Sequence, residues 1–382
     1  MIRILHIFPS SAIGGSELCA LETINALNNT TRHKNYAVFP DYGPMQKKGE
    51  NEFTKSIILH YDWWVASKPW SLLLKIKMVF GFFRSAQQLK KKILENKINI
   101  VISHTLVTPI GAMASMLTRR KHLWYIHEYG DLDHSLNFCF GKKLQLTIMD
   151  HLSDGVIVNS SALQKHFQPF FPNHNLERIN YVVNYPTIKA PNKKDPNKLN
   201  ICMVGRIAPG KNQIIALEAL AILKKEGIRP KLIFVGGHEP RYLNELKAYI
   251  STHQLYEQVT FISHTTHPWT FVEFSDCVLV CSLNEAFGRV TVEGMKAGRI
   301  VVASNSSAGP EIINHGKTGF LFSPNAPKEL AQILKDLYFS DDLSKIAQKG
   351  QITALENYNA DKHSEQIEKI FEKLRINQPT IH

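Results

Sequence analysis

The sequence predicts an α/β protein built from two doubly wound, Rossmann-like domains. Its 382 residues are enough for two separate hydrophobic cores. Short apolar runs typical of buried strands alternate with helical patterns in both halves, as expected for parallel sheets with crossover helices. A polar stretch without an apolar period, residues 187–198, separates the two halves and predicts a linker.

The elements of each half follow from local patterning. In the first half, residues 1–186, strands are predicted at 2–8, 36–39, 98–103, 122–127 and 155–159. The second half, residues 199–359, has predicted strands at 199–204, 231–235, 259–262, 277–281 and 300–303. Helical periods cover 213–227, 329–337 and 362–374. The two halves share a plan without being a sequence repeat.

Composition places the chain among ordinary globular proteins. The apolar share is 44% and the charged share 20%, and no run of apolar residues is long enough to cross a membrane. The N-terminus has no signal-peptide pattern, so we expect a cytoplasmic protein. The cysteines are odd in number and lack a CxxC pair, which favours reduced thiols over disulfides or a zinc site. They are Cys19, Cys139, Cys202, Cys277 and Cys281.

The positive charge is concentrated in the first half. Residues 1–190 hold 22 Lys and Arg against 13 Asp and Glu, a net charge of +9 out of the total of +12. Such a half could attract nucleic acid, an anionic membrane surface or a phosphorylated acceptor. No nucleic-acid motif accompanies the charge, so a nucleic-acid partner is not expected.

The most informative stretch is residues 284–295. It follows a predicted strand, and Glu285 lies on the loop while Glu293 lies in a helix predicted from residue 290 to 297. Ligands of open α/β sheets bind at the carboxyl ends of strands, where this loop opens. Gly288 leaves room for backbone amides to meet a phosphate or a sugar hydroxyl. The two carboxylates are too far apart to share a proton but suit two parts of one elongated ligand.

Two more loops follow predicted strands. Gly205-Arg206-Ile207-Ala208-Pro209-Gly210-Lys211 places two cations at a strand end, where Arg206 offers a planar fork and Lys211 a mobile point charge for phosphate oxygens. Gly14 and Gly15 follow the first strand and open a helix, so an anion could approach the backbone there. A solvated basic loop and an ordinary glycine-rich turn are the alternatives.

An aromatic and basic stretch interrupts the first half. It carries Trp63, Trp64 and Trp70, then the apolar and basic run 70–84, and a lysine run at 90–92. Bulky apolar side chains flanked by cations are typical of a helix in a membrane interface. A core crossover helix fits the position and length equally well, and one helix can serve both roles.

Together these motifs resemble the family 4 retaining glycosyltransferases, the group 1 type with the GT-B fold. The Glu-(seven residues)-Glu pattern with Phe-Gly inside it, the Arg206–Lys211 loop and the Gly14-Gly15 loop carry the resemblance. The resemblance implies two Rossmann-like domains that face each other across a cleft. It also implies that the last helix, about 360–376, returns to the first domain.

The resemblance assigns roles to individual residues. Arg206 and Lys211, with Gly205, would hold the donor diphosphate, and Gly14 and Gly15 would meet its phosphates. Glu293 would bind ribose hydroxyls and Glu285 the transferred sugar. Backbone groups of the loop would meet the sugar or diphosphate, namely those of Ala286, Phe287, Gly288, Arg289 and Val290. His127 would position the sugar through a hydrogen bond, with His104 behind it. Tyr185 departs from the family, which has glycine there.

The implied function is transfer of a hexose from a UDP- or GDP-sugar to a glycan or lipid-linked acceptor in cell-surface polysaccharide synthesis. No cluster with metal-ligand spacing lies beside these motifs, so we expect no metal and no other cofactor. A nucleotide-sugar epimerase of the same fold and a catalytically silent membrane-associated binding protein remain the alternatives. Peripheral attachment to the inner face of the cell membrane remains open too.

Overall fold

The chain forms two compact units in a computed structural model. The structure describes residues 1–66, 70–134, 136–185, 197–263, 265–340 and 342–375. The N-terminal unit comprises Met1–Asn184 and the described residues from Tyr358 onward, and the C-terminal unit comprises Tyr185–Asn357. Of the predicted linker, only Asn197 and Lys198 lie within the described residues.

The N-terminal unit is an α/β layer structure around a parallel sheet. Its elements in chain order are β1 (Ile2–Ile7), α1 (Gly15–Asn29), β2 (His33–Phe39), α2 (Pro44–Lys48), β3 (Lys55–Ile58), β4 (Val65–Ala66), α3 (Leu72–Glu95), β5 (Ile100–His104), α4 (Ile110–Thr118), β6 (Lys121–Ile126), α5 (Asp131–His134), β7 (Asn137–Phe138), α6 (Lys142–Leu152), β8 (Gly155–Val158), α7 (Ser161–Phe167) and β9 (Glu177–Arg178). The sheet has the order β3-β2-β1-β5-β6-β8-β9, and β4 pairs with β7 in a small antiparallel ribbon.

The last helix among the described residues belongs to this unit. It spans Ala360–Lys373 and is named α15, after the helices of the C-terminal unit. Its His363 ring bonds the hydroxyl of Thr23 on α1 at 3.0 Å, and Glu368 pairs with His33 at 2.5 Å. The side chains on its buried face therefore fix it against α1 and the start of β2.

The C-terminal unit repeats the plan. Its elements are β10 (Asn200–Val204), α8 (Gln213–Lys225), β11 (Lys231–Val235), α9 (Pro240–Thr252), β12 (Val259–Ile262), α10 (Trp269–Glu273), β13 (Cys277–Val280), α11 (Arg289–Lys296), β14 (Ile300–Ser304), α12 (Gly309–Ile312), β15 (Phe320–Phe322), α13 (Pro327–Phe339) and α14 (Ser344–Asn357). The parallel sheet has the order β12-β11-β10-β13-β14-β15. Its central strands are apolar because helices cover both faces.

The predicted α/β architecture is recovered, with small differences at element ends. The helix predicted from residue 290 begins at Arg289, and the strand predicted from residue 36 begins at His33. Backbone hydrogen bonds set these ends, and they extend past the apolar residues that carry the pattern. The short strands β3, β4, β7, β9 and β15 were missed because two to four residues leave too little periodicity to detect.

The five cysteines are free and buried. Burial raises the pKa of the Cys202 thiol to about 12, and it raises the pKa values of Cys277 and Cys281 further. Such thiols stay protonated and unreactive, as expected for small apolar core residues. Among the described residues, no helix combines the length and the apolar character needed to cross a membrane.

Candidate functional site

The C-terminal unit brings its predicted site residues to one place in the sheet. Strands β10 and β13 are neighbours and parallel, although three helices and two strands separate them in sequence. The chain leaves β10 toward β11 on one side and returns to β13 on the other. This point of reversal is where doubly wound sheets bind ligands, at the carboxyl ends of the strands. The loops after β10 and β13 carry Lys211 and Glu285.

The loop after β10 has a fixed backbone. Gly205 has φ +142°, and its amide bonds the carbonyl of Val235 at the end of β11. Gly236 lies against it, since a Cβ on Gly236 would come within 2.2 Å of the Gly205 oxygen. No residue with a side chain therefore fits at Gly236, a requirement that was not predicted from the sequence. The two strand ends therefore support each other before the chain reaches Arg206.

The two cations of this loop have carboxylate partners. Lys211 ends a short 3-10 turn, Pro209–Lys211, and its Nζ lies 2.8 Å from Oε2 of Glu285. The guanidinium of Arg206 lies 3.3 Å from Oε1 of Glu239 and is largely exposed. The structure thus joins Lys211 directly to Glu285, which stands 74 residues further along the chain. Arg206 lies at the same strand end with a different partner.

The loop after β13 ends at a left-handed residue that starts α11. Gly288 caps the helix with φ +90° and ψ +47°, a conformation that favours glycine. Ala286 and Phe287 are buried, while Val290 is half-buried in the first turn. The amides of a first helical turn have no partner within the helix, so this end favours negative charge.

Glu293 lies one turn further into α11. Its Oε1 accepts a hydrogen bond from Nε of Arg289 at 2.8 Å, and both side chains are about four-fifths buried. Tyr185 is a neighbour that the sequence analysis recorded only as a departure from a family pattern. The pKa of the Tyr185 hydroxyl is raised, mainly by burial and secondly by the charge of Glu293. That hydroxyl is buried with no hydrogen-bond partner among the described residues, so it offers a donor beside Glu293.

In the N-terminal unit, Gly14 and Gly15 lie at the start of α1. Gly14 is the N-cap, with an extended backbone. The buried carboxylate of Glu17 turns back to this point, where it accepts hydrogen bonds from Ser10 at 2.5 Å and Ser16 at 3.0 Å. A Cβ on Gly14 would lie 2.5 Å from that carboxylate, whereas one on Gly15 would meet nothing within 4 Å. Glu17 was given no role from the sequence, yet its carboxylate lies beside the glycine that was predicted to meet a phosphate.

The two glycines give a matched pair of substitutions. We expect Gly14→Ala to lower the melting temperature by a few degrees, because the added methyl displaces Glu17 from two hydrogen bonds worth about 1–3 kcal/mol together. Gly15→Ala should leave the melting temperature unchanged or slightly higher, since alanine is the better helix former. Differential scanning fluorimetry compares the two variants. Full turnover in a stably folded Gly15→Ala variant would remove Gly15 from the site.

His127 follows β6 and belongs to a buried row of histidines. His6 on β1 and His104 on β5 join it through ring nitrogens, with 3.0 Å between His6 Nδ1 and His104 Nε2 and 3.0 Å between His104 Nδ1 and His127 Nε2. At one end, His6 Nε2 bonds Oδ1 of Asn35 at 3.0 Å. At the other end, the hydroxyl of Tyr181 bonds Nδ1 of His127. We call this row the histidine series.

Burial keeps the histidine series neutral, and its hydrogen bonds determine its tautomers. It lowers the pKa of His6 to about 4 and that of His127 to about 3, and it places the pKa of His104 well below 6.5. Asn35 can only accept at Oδ1, because its amide nitrogen donates to Asn28. His6 therefore carries its hydrogen on Nε2, and the same logic places a hydrogen on Nε2 of His104 and of His127.

This arrangement bears on the role predicted for His127. Both ring nitrogens already have protein partners, and the residue is only 6% exposed. A hydrogen bond from the ring to a sugar would require Tyr181 or His104 to exchange its partner. The contact between His127 and a sugar stays a prediction. Tyr181 also belongs to this arrangement, because its hydroxyl bonds Nδ1 of His127 and so favours the ring hydrogen on Nε2.

An Asp-x-Asp sequence after His127 escaped the sequence analysis. Asp133 accepts hydrogen bonds from the amides of Tyr129 and Gly130, each at 2.8 Å, while Asp131 pairs with Lys142 at 2.7 Å. These carboxylates therefore hold the loop and the start of α5. Within the described residues, no three His, Cys, Asp or Glu side chains are grouped so that they could hold a metal ion.

The C-terminal unit matches a known family. Residues 184–353 fit the family model described as glycosyl transferases group 1. Human alpha-1,3/1,6-mannosyltransferase ALG2 is 26% identical over 74% of this chain and 75% of its own length. The capsular polysaccharide biosynthesis glycosyltransferase CapH of Staphylococcus aureus is 24% identical over 88% of this chain and 91% of its own.

Solved structures are similar over nearly the whole chain. A glycosyltransferase of Rickettsia africae gives a TM-score of 0.80 at 21% identity, and 99% of each chain is covered. Anabaena HepE, solved in complex with UDP, gives 0.76 at 21% identity, with 98% of this chain and 100% of that one covered. A further HepE structure contains UDP-glucose. These likenesses confirm the predicted fold class.

Proposed function

We propose that this chain belongs to the group 1 glycosyltransferases and acts as one. It transfers a glycosyl group from a nucleotide sugar in polysaccharide or glycan synthesis. More narrowly, it is a retaining hexosyltransferase that uses a UDP- or GDP-sugar and acts on a glycan or a lipid-linked acceptor. The surface polysaccharide setting is supported by the similarity to CapH, a capsular polysaccharide biosynthesis glycosyltransferase, and a UDP-sugar donor by the similarity to the HepE complexes.

One observation carries the proposal, the Lys211–Glu285 ion pair at 2.8 Å where β10 and β13 reverse the sheet order. A donor diphosphate is a stronger partner for Lys211 than one carboxylate, because it carries more charge and more acceptor oxygens. When the diphosphate takes Lys211, Glu285 is released to accept a hydrogen bond from a hydroxyl of the transferred sugar. Arg206, exposed at the same strand end, supplies the second cation.

Glu293 and its surroundings suit the nucleoside part of the donor. A carboxylate can accept hydrogen bonds from two vicinal ribose hydroxyls. Arg289 holds that carboxylate in a fixed rotamer, and the Tyr185 hydroxyl beside it has no other partner among the described residues. The start of α11 contributes amides whose dipole favours the diphosphate.

Retention of configuration follows in this proposal from front-face attack. The bond between the anomeric carbon and the phosphate oxygen breaks while the acceptor oxygen bonds to the same face of that carbon. The acceptor's proton passes to the leaving phosphate oxygen. The chain then has to position the reactants and stabilise the developing negative charge, which Lys211 and Arg206 can do.

The experiment is a donor screen followed by analysis of the product. We expect thermal stabilisation by one class among UDP-, GDP-, ADP- and dTDP-hexoses, followed by turnover that requires an acceptor and keeps the anomeric configuration by NMR. Activity should survive EDTA, because the two cations take the place of a metal. Conversion of the donor sugar without acceptor would instead assign an epimerase. Binding without turnover over a broad acceptor panel would assign a silent binder, and strict Mg²⁺ or Mn²⁺ dependence would refute the metal-independent mechanism.

A further inference from the structure

Helix α3 presents two apolar faces, and only one of them packs against the described part of the protein. Its buried face consists of Met78, Phe82, Ala86, Leu89 and Ile93. The opposite side carries a second apolar row that remains in solvent, namely Leu72, Leu73, Ile76, Val79, Phe80 and Phe83. We call this row the α3 apolar face. Phe80 is 73% exposed and Phe83 is 54% exposed, although burial is the usual state of a phenylalanine.

The charges that α3 itself carries before its last residue are of one sign, although Asp62 of the preceding segment lies beside Gly81. From Leu72 to Leu94 the helix has six cations and no acidic residue. At 100° per residue, Lys77 and Arg84 lie along one border of the α3 apolar face, and both are exposed. The helix therefore pairs bulky apolar side chains with cations at its border, as interfacial helices do.

The face has a defined place on the N-terminal unit. The polypeptide just before α3 lies at the carboxyl ends of the strands, where Trp63 bonds the carbonyl of Pro9 at 2.7 Å and Trp64 bonds that of Leu106 at 2.6 Å. Since α3 leads into β5, its first turns start from this edge of the sheet. The loops of Gly14 and His127 open at the same edge.

We propose that the α3 apolar face docks on an anionic lipid membrane. The apolar side chains would enter the interface, and Lys77 and Arg84 would remain at the level of the anionic headgroups. A second copy of this chain fits less well, because two such faces placed together would bring their cations close to one another. Membrane docking does not depend on the proposed function. Only its benefit rests on that function, since docking would bring a lipid-linked acceptor close to the carboxyl ends of the strands.

The test is co-sedimentation of the full chain with vesicles, without donor or acceptor. We expect binding to vesicles made of equal parts phosphatidylglycerol and phosphatidylcholine, weaker binding to phosphatidylcholine alone, and release by rising NaCl. Phe80→Ser with Phe83→Ser should weaken partitioning at least about tenfold, from the loss of buried apolar area. Lys77→Glu with Arg84→Glu should weaken it about fivefold or more for each cation.

Matched controls come from the C-terminal unit. Phe274 and Phe339 are 80% and 54% exposed, so Phe274→Ser with Phe339→Ser removes rings at least as exposed as Phe80 and Phe83, and Arg241→Glu with Lys247→Glu makes the same change of charge. Both controls should bind vesicles as the parent does. Failure of the parent to bind anionic vesicles at low salt, or equal losses in the controls, overturns the proposal.

Two further measurements separate the remaining explanations. Light scattering reports the oligomeric state, and a parent dimer that Phe80→Ser with Phe83→Ser dissociates would assign the face to a second copy and overturn membrane docking. Thermal shift with the preferred nucleotide sugar reports donor binding. We expect the same shift in the α3 variants as in the parent, and an altered shift would show that α3 acts on the donor site and overturn a pure docking role.

Discussion

Lys211→Ala is expected to lower turnover about 10²–10³-fold while the protein stays folded. The magnitude is that of removing one preorganised charge-stabilising group from a site where negative charge develops on a leaving group. The ion pair with Glu285 is partly exposed, so its loss alone costs about 1 kcal/mol or less and should barely move the melting temperature. Steady-state kinetics with saturating donor, together with circular dichroism, measure both effects.

The same unit supplies a control for this substitution. Lys335 on α13 pairs with Glu226 at 2.6 Å, and its side chain is 38% exposed compared with 41% for Lys211. Lys335→Ala removes the same side chain from a comparable ion pair away from the β10 and β13 strand ends. We expect it to keep turnover within about twofold of the parent, as most surface substitutions do. Equal turnover in both variants would exclude Lys211 from the reaction.

Mild acid is expected to destabilise the chain. The folded pKa is lowered to about 4 for His6 and His363 and to about 3 for His122 and His127, in each case mainly by burial. In the unfolded chain these groups protonate near pH 6.5, so the unfolded state binds more protons between pH 6.5 and about 4. At pH 5 each buried histidine then costs about 2 kcal/mol of unfolding free energy, and above pH 6.5 the effect vanishes.

The buried acid Glu128 works in the opposite direction. Burial raises its pKa, so its contribution to stability is lost as the pH rises. It is one group against five buried histidines, since the pKa of His104 is lowered too, and we expect the net unfolding free energy from urea titrations to fall from pH 6.5 to 5. His122 is partnered by Ser103 outside the histidine series, so His122→Gln should reduce this slope, whereas His60→Gln at an exposed site should not. An unfolding free energy independent of pH over this range would contradict the expectation.

The local pattern of the sequence was enough to place the loops. Strand ends at residues 204 and 280 and the glycine at position 288 are marked by short apolar runs and by residue types that favour turns. The contact between Lys211 and Glu285 was beyond such reasoning, because it depends on β10 and β13 being neighbours although 74 residues separate the two side chains. A sequence read in short windows contains no record of strand order.

The features that the sequence did not reveal are long-range polar contacts. His6 and His104 are 98 residues apart, and each alone resembles an ordinary core histidine. Glu17 resembles a first-turn acid of an amphipathic helix until the structure shows its carboxylate turned back onto Gly14. The dual nature of α3 was predicted as two alternatives, and both faces exist because the helix is long enough to carry a packed row and an exposed row.

Through the histidine series, the side-chain amide of Asn35 determines which ring nitrogen of His127 carries the hydrogen. Every member gives one hydrogen and receives one, so no ring can turn over alone without setting two lone pairs, or two hydrogens, face to face. Asn35 on β2 thereby dictates which edge of His127, three strands across the sheet, is basic. A substitution at Asn35 could therefore change which ring nitrogen of His127 is basic without shifting the backbone.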